Sequence, residues 1–225
     1  MGHDLNMIIK MAEQRAKVYK RIIGTLMSLP DAEFLKSIGS DESRLFLTEY
    51  ARLNQPSITK GCQLVLSFLN SMADQDKDEL IELMAVDRTR LLRTPFAKAY
   101  PPPYEIHYSK GDAMASQLTL RQLYHSLGYL PATDTETVDY FAIELDFLRM
   151  LILEMTKSEN EENATKISEL LTTQKDFIEN HPGSWIKKFV ERAVPHGETD
   201  FYKGWLYIME GFLELEKEYL DFIQR

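Results

Sequence analysis

TDFYKGWLYIMEGFLELEKEYLDFI, residues 199–223, sets Phe201, Trp205, Ile208, Phe212, Leu215, Tyr219 and Phe222 at alternating steps of four and three. With 3.6 residues to a turn, that rhythm keeps seven large apolar side chains on one stripe of an α-helix. A half-buried strand would alternate every second residue instead. The stretch predicts a long amphipathic helix, and its rhythm recurs along the chain.

Over residues 5–27 the stripe is Ile8, Met11, Ala12, Val18, Tyr19, Ile22, Ile23 and Leu26, with Asp4 as N-cap and Pro30 as the stop. Pro30-Asp31-Ala32-Glu33 opens a short second helix, because proline suits a first turn and acids complement its positive end. Residues 40–54 predict a third, capped by Ser40, with Leu45, Phe46, Tyr50 and Leu53 inward. A fourth covers 57–72 through Cys62, Leu64, Val65, Phe68 and Leu69. A fifth covers 76–92 through Leu80, Ile81, Leu83, Met84, Leu91 and Leu92. After a break, helices follow at 114–127 (ended by Gly128), about 136–156, 162–180 and 185–194. The sixth-to-eighth region includes one clear face: Val138, Phe141, Leu145, Leu148, Ile152 and Met155.

No run pairs two-residue alternation with Asn-Gly or Asp-Gly turns, so no sheet is expected, and no fixed period marks a solenoid. The fold class expected is all-α: a single globular, bundle-like domain of about ten helices over residues 1–225.

Composition narrows the function classes. The 225 residues are 44% hydrophobic and 27% charged, enough for a core and a solvated surface. A net charge of -9 lacks the basic footprint that counterion release from nucleic acid requires, and suits a basic peptide or protein. Cys62 is the only cysteine, so no intrachain disulfide forms; flanked by apolar residues, it is expected to pack as a small hydrophobe. Neither a secretion signal nor an apolar run near the ~20 residues of a membrane span is visible, which sets a cytoplasmic protein without stable membrane insertion as the expectation.

Chemistry-bearing motifs are absent: no Walker-type loop, no G-x-G-x-x-G, no H-E-x-x-H and no nucleophile elbow. His3, His107, His125, His181 and His196 lack partners at metal-ligand spacing, and His181, at a helix junction, suits a capping or hydrogen-bonding role. No catalysis, metal or cofactor is expected.

Two stretches suggest binding. Residues 94–112 carry Pro95, Pro101, Pro102, Pro103 and Gly111, which forbid a continuous helix, and Phe96, Tyr100, Tyr104 and Tyr108. Arg88, Arg90 and Arg93 lead into it beside Leu91 and Leu92. Rigid proline and tyrosine surfaces bind peptides at low entropic cost; the plainer reading is a staple joining two halves. As a hinge, the same loop would permit a domain-swapped homodimer. Residues 134–169 hold ten acids against three bases, either a solvated face or a surface for an arginine-bearing partner.

Several segments along the chain resemble the TorD/DmsD family of chaperones for molybdoenzyme precursors. Pro103-Tyr104-Glu105-Ile106-His107-Tyr108 resembles its P-Y-E-S-V-Y loop, and Leu91-Leu92 stands where Leu-Phe usually ends the preceding helix. The segment from Asp139 and Tyr140 to Leu148 resembles D-H-(I/L)-x-x-E-L-x-F-L. Phe177 to His181, then Trp185, resembles F-L-x-x-H-L-x-x-W, while Arg15 to Tyr19 fits the R-x-x-x-Y helix. Tyr140 replaces the usual His, Leu92 the usual Phe and Ile106 the usual Ser.

The resemblance implies an all-α chaperone without turnover. It would bind the twin-arginine signal peptide of a molybdopterin oxidoreductase precursor and hold it in the cytoplasm until cofactor insertion. The implied surface is Leu91, Leu92, Pro103, Tyr104, Glu105, Tyr108, Asp139 and Tyr140. Leu91, Leu92 and Tyr104 would meet the apolar segment; Glu105 and Asp139, where exposed, would pair with the arginines. Rival readings are a nucleotide- or molybdopterin-handling protein gripping phosphate through Arg88, Arg90, Arg93 and Lys98, or a structural subunit of a reductase.

Overall fold

The computed structural model describes residues 5–94, 99–110, 113–131, 136–157 and 164–224. Among these lie ten α-helices: α1 (Leu5–Met27), α2 (Ala32–Ile38), α3 (Asp41–Tyr50), α4 (Pro56–Ser71), α5 (Lys77–Leu92), α6 (Ala113–Ser126), α7 (Phe141–Thr156), α8 (Ala164–Asn180), α9 (Pro182–Ala193) and α10 (Asp200–Ile223). No strand occurs among the described residues; one isolated bridge joins Tyr104 to Tyr140. The all-α expectation is met. No described helix is long and apolar enough to cross a membrane.

The predicted boundaries follow local chemistry. Asp31, Ser40 and Asp76 accept backbone N–H bonds in the first turns of α2, α3 and α5, and Gln55 does so for α4. Gly128 takes φ +70° after α6, as its capping role requires. Asp4, expected to cap α1, lies outside the described residues. Two details differ. Helix α7 starts at Phe141, because 138–140 form a turn that holds the Tyr104–Tyr140 bridge. In α3, Leu47 is the buried leucine, while Leu45 and Leu53 face solvent. The helix ends at Tyr50, and Asn54, at φ 53°, turns the chain before α4.

The chain forms two compact units: Met1–Ile23, Tyr104–Ile186 and Leu213–Arg225 make one, Gly24–Pro103 and Lys187–Phe212 the other. In the second unit, α10 is buried on nearly every side from Phe201 to Phe212, rather than along one stripe. Gly204 allows this: a Cβ there would stand 2.6 Å from the Gly61 carbonyl oxygen of α4. Phe201 meets Phe34 and Phe68 with ring centroids 5.8 and 5.4 Å away. Cys62 is fully enclosed on α4, and burial pushes its thiol up to about 12, so it packs as expected.

Adjacent α5 residues fix two helix ends in this unit. The Asp87 carboxylate accepts the N–H groups of Glu198 and Thr199 at 2.9 and 2.8 Å, and the Thr199 hydroxyl at 2.7 Å, at the start of α10. Arg88 donates to the carbonyls of Leu26 and Met27, at 2.8 and 2.5 Å, at the end of α1. Each charge opposes the helix dipole that it meets and satisfies terminal groups that no helix can pair internally.

In the first unit, Arg15 donates to Glu216 of α10 through Nε and Nη2, both at 2.8 Å, and to Gln174 of α8 at 2.7 Å. Its guanidinium lies 4.6 Å from the Tyr219 ring centroid. The arginine of the R-x-x-x-Y segment thus ties three helices together.

Candidate functional site

The first unit assembles most of the predicted surface residues. Pro103 ends the proline run, and from Tyr104 the chain pairs with the turn before α7. Glu105 N–H donates to the Asp139 carbonyl at 2.9 Å, and the Tyr104 and Tyr140 rings lie 4.9 Å apart. Asp139 then laces three segments. Its carboxylate accepts from Gln117 of α6 at 2.9 Å, from the Thr137 hydroxyl at 2.6 Å and from Ile106 N–H at 3.3 Å.

Glu105 turns inward. His181, closing α8, stands with Nδ1 2.9 Å from a Glu105 oxygen, which gives the junction histidine a hydrogen-bonding role. Deeper lies Glu144 of α7, fully buried, accepting the Trp185 indole N–H at 3.0 Å. Burial pushes the Glu144 carboxyl well above its ordinary range, helped by Glu105 and Asp139 nearby. Tyr108 stacks on Trp185 with centroids 5.6 Å apart. The aromatic loop is therefore anchored by His181, between α8 and α9, and by Trp185 of α9.

Burial corrects several roles. Asp139 is 1% exposed and Glu105 6%, so the condition for pairing them directly with client arginines fails. Both have been drawn into the fold because each carboxylate finds internal donors. Tyr140 and Tyr108 are buried as well, which leaves Tyr104 as the predicted residue of this unit reaching the surface. Leu91, Leu92 and Pro103 belong to the other unit, where all three are buried rather than offered to an apolar segment.

The phosphate-gripping set fares similarly. Arg88 is consumed at the end of α1, and Arg90 pairs with Glu198 at 2.5 Å. Arg93 has partners of its own, and Lys98 lies outside the described residues. Phe96 and the rest of 95–98 and 111–112 of the expected hinge also lie outside them.

A depression of about 620 Å³ opens to solvent in this unit. Its rim carries Glu136, whose carboxylate accepts the Tyr104 hydroxyl proton. Tyr124 and Tyr129 form an aromatic floor, held by hydroxyl bonds to the carbonyl of Val138 at 3.1 Å and the carboxylate of Asp146 at 3.1 Å. Arg121 and His125, both exposed on α6, also line it, and Leu130 adds exposed apolar surface. Glu136 and the exposed Leu130 suit a cation and an apolar side chain of a peptide, while Arg121 and His125 would meet its carbonyl or acidic groups.

Glu136 was legible only as one acid among ten. Glu144 had a clearer signal: it sits three residues after Phe141 and four before Leu148, on the stripe that faces inward.

Residues 55–191, more than half of the chain, match the family described as the nitrate reductase delta subunit. The chain is similar to "Chaperone protein TorD" of Vibrio parahaemolyticus serotype O3:K6, at 25% identity over 92% of this chain and 95% of that protein. It is similar to the protein of that name from Aliivibrio fischeri, at 26% over 96% and 99%. A third, from Vibrio vulnificus strain YJ016, gives 27% over 92% and 95%. No solved structure matches at the same stringency.

Proposed function

We infer that this chain, which belongs to the nitrate reductase delta subunit family, is a maturation chaperone that binds the twin-arginine signal peptide of a molybdopterin oxidoreductase precursor. It acts in the cytoplasm, without turnover, and holds the precursor until its cofactor is in place. The end-to-end likeness to proteins named as TorD chaperones supports the class. One observation carries the site: a solvent-open depression with an aromatic floor and a rim carboxylate adjoins the Tyr104–Tyr140 bridge.

The charge partner moves accordingly. Glu136, on the rim, takes the role expected of Glu105 and Asp139. A guanidinium seated there would pair with the carboxylate, while the exposed Leu130 receives the apolar residues that follow. Asp139, Glu105 and Tyr140 position Tyr104, and the chain's net charge of -9 speeds encounter with a basic leader.

Calorimetric titration with a synthetic twin-arginine signal peptide tests this. Glu136→Gln should weaken binding about tenfold, the equivalent of about 1.4 kcal/mol, and flatten its salt dependence. Asp139→Asn should leave the salt slope alone. Equal affinity for a peptide with both arginines changed to glutamine would sink the reading. So would co-purification with mature, cofactor-loaded enzyme in place of its precursor.

A further inference from the structure

The proposed function assigns a partner to Glu136 but not to the two α6 residues that line the same depression. We propose that Arg121 and His125 form a carboxylate subsite, so that the segment bound there carries an acidic side chain as well as its arginines. The inference rests on the peptide-binding reading for its occupant and deepens it.

The sequence of α6 isolates these two groups. AMASQLTLRQLYHS contains no Asp, Glu or Lys. Arg121 and His125 stand four residues apart, about one turn, which puts both on one face. Both are exposed and both line the depression. Arg121 is thus a positive point with no acid in its own helix, in a chain of net charge -9.

Neither is tied into the fold. Arg15, Arg44, Arg88, Arg90 and Arg149 each donate to a carboxylate, a carbonyl or an amide of the chain. The Arg121 guanidinium and the His125 imidazole make no such bond among the described residues. Glu136 lines the same depression, yet no ion pair joins it to Arg121. The floor supplies no donor either, because the Tyr124 and Tyr129 hydroxyls are spent on Val138 and Asp146. A site that holds a carboxylate and an unpaired guanidinium apart complements a ligand that carries both signs.

A carboxylate is the anion that this pair suits. A guanidinium presents parallel N–H groups to two carboxylate oxygens, and an imidazole N–H adds a further donor. Phosphate sites are commonly built on backbone N–H groups at a helix N-terminus or a glycine turn. Here both residues lie in the second half of α6, toward its negative end, and no glycine lines the depression. The acid belongs to the client peptide itself: Glu136 and Leu130 line the same depression, so cation, acid and apolar side chain fall within one short segment. Both donors are solvated, so the subsite adds selectivity more than strength.

Calorimetry of the full chain with paired twin-arginine peptides tests the subsite. Each pair places a glutamate or a glutamine at one position, moved stepwise along both sides of the arginines. At one position the wild type should bind the glutamate peptide about three- to fivefold more tightly. Arg121→Gln should erase that preference and His125→Ala should reduce it. Arg121→Glu should reverse it in favour of a lysine peptide, a change of sign that misfolding does not produce. No preference at any position, or one that survives Arg121→Gln, would overturn the proposal. Tighter binding of inorganic phosphate than of the glutamate peptide, lost in Arg121→Gln, would overturn it too, by making this a phosphate site. A glutamate preference that persists, at unchanged affinity, after both arginines become glutamine would uphold the acidic subsite and remove the twin-arginine reading instead.

Discussion

Asp87 and Arg88 in one unit, and Asp139, Glu105 and Glu144 in the other, are ionisable side chains with almost no exposure. Burial of such groups costs several kcal/mol unless partners replace water. The α5 pair spends its charges on backbone: helix-terminal N–H groups for Asp87, helix-terminal carbonyls for Arg88. Those partners cannot titrate, and they move only if a helix moves. The loop cluster spends its charges on other side chains, among them a histidine and a second acid. The first arrangement is a fixture of the fold. The second changes with protonation and sits behind a surface open to solvent.

The comparison predicts the largest loss at the fixture. Asp87→Ala leaves three donors at the start of α10 without an acceptor and should cost about 3–5 kcal/mol. The midpoint of urea unfolding measures it. A loss of less than about 1 kcal/mol would mean that water reaches those groups, and that Asp87 is no more fixed than Glu105.

Gly204→Ala probes the same unit without touching charge. The new methyl would overlap the backbone of α4 at Gly61, which no rotamer change relieves, so about 1–3 kcal/mol should be lost. Addition of the loss to that of Asp87→Ala in the double variant would mark two independent anchors.

A smaller, pH-dependent effect should appear only in the loop cluster. Burial beside Glu105 raises the folded pKa of Glu144 above its unfolded value of about 4.3. A proton bound more tightly by the folded state stabilises it fully below the unfolded value, and that contribution is lost as pH rises through the folded one. Stability should therefore decline from the unfolded value up to the folded one, by at most about 1.4 kcal/mol per pH unit, and level off above it. Denaturant midpoints across pH, for wild type and Glu144→Gln, would show the decline in the first and its absence in the second.

Much of the fold was legible because helix ends and stripes are local. Ser40, Asp76, Pro30 and Gly128 mark boundaries by chemistry that acts within a few residues. The site was less legible, for a reason visible in three residues. Arg15, Asp87 and Glu144 each fall in register with the apolar stripe of their helix, which announces burial. A charged residue in that register must have a partner, but the partners lie far along the chain, at Glu216, Thr199 and Trp185. Periodicity gives the burial and not the pairing. Reading charge as surface likewise placed Glu105 and Asp139 outside, when their neighbours had already claimed them.

Tyr104→Phe carries the smallest expected effect and bears most directly on where the client binds. The substitution keeps the ring against Tyr140 and removes only the hydroxyl that donates to Glu136. Stability should change by less than about 0.5 kcal/mol, since the bond sits at a solvated rim. Binding responds to two opposed effects: the phenol holds the carboxylate in place, and it also occupies one of its lone pairs. A carboxylate offers about four acceptor positions, so phenol and guanidinium fit together, and positioning outweighs competition. Affinity for the twin-arginine peptide should fall about two- to fivefold, through faster dissociation, as calorimetry and stopped-flow would record. Tighter binding would mean that the hydroxyl competes with the client, and unchanged binding would move the arginine away from Glu136 altogether.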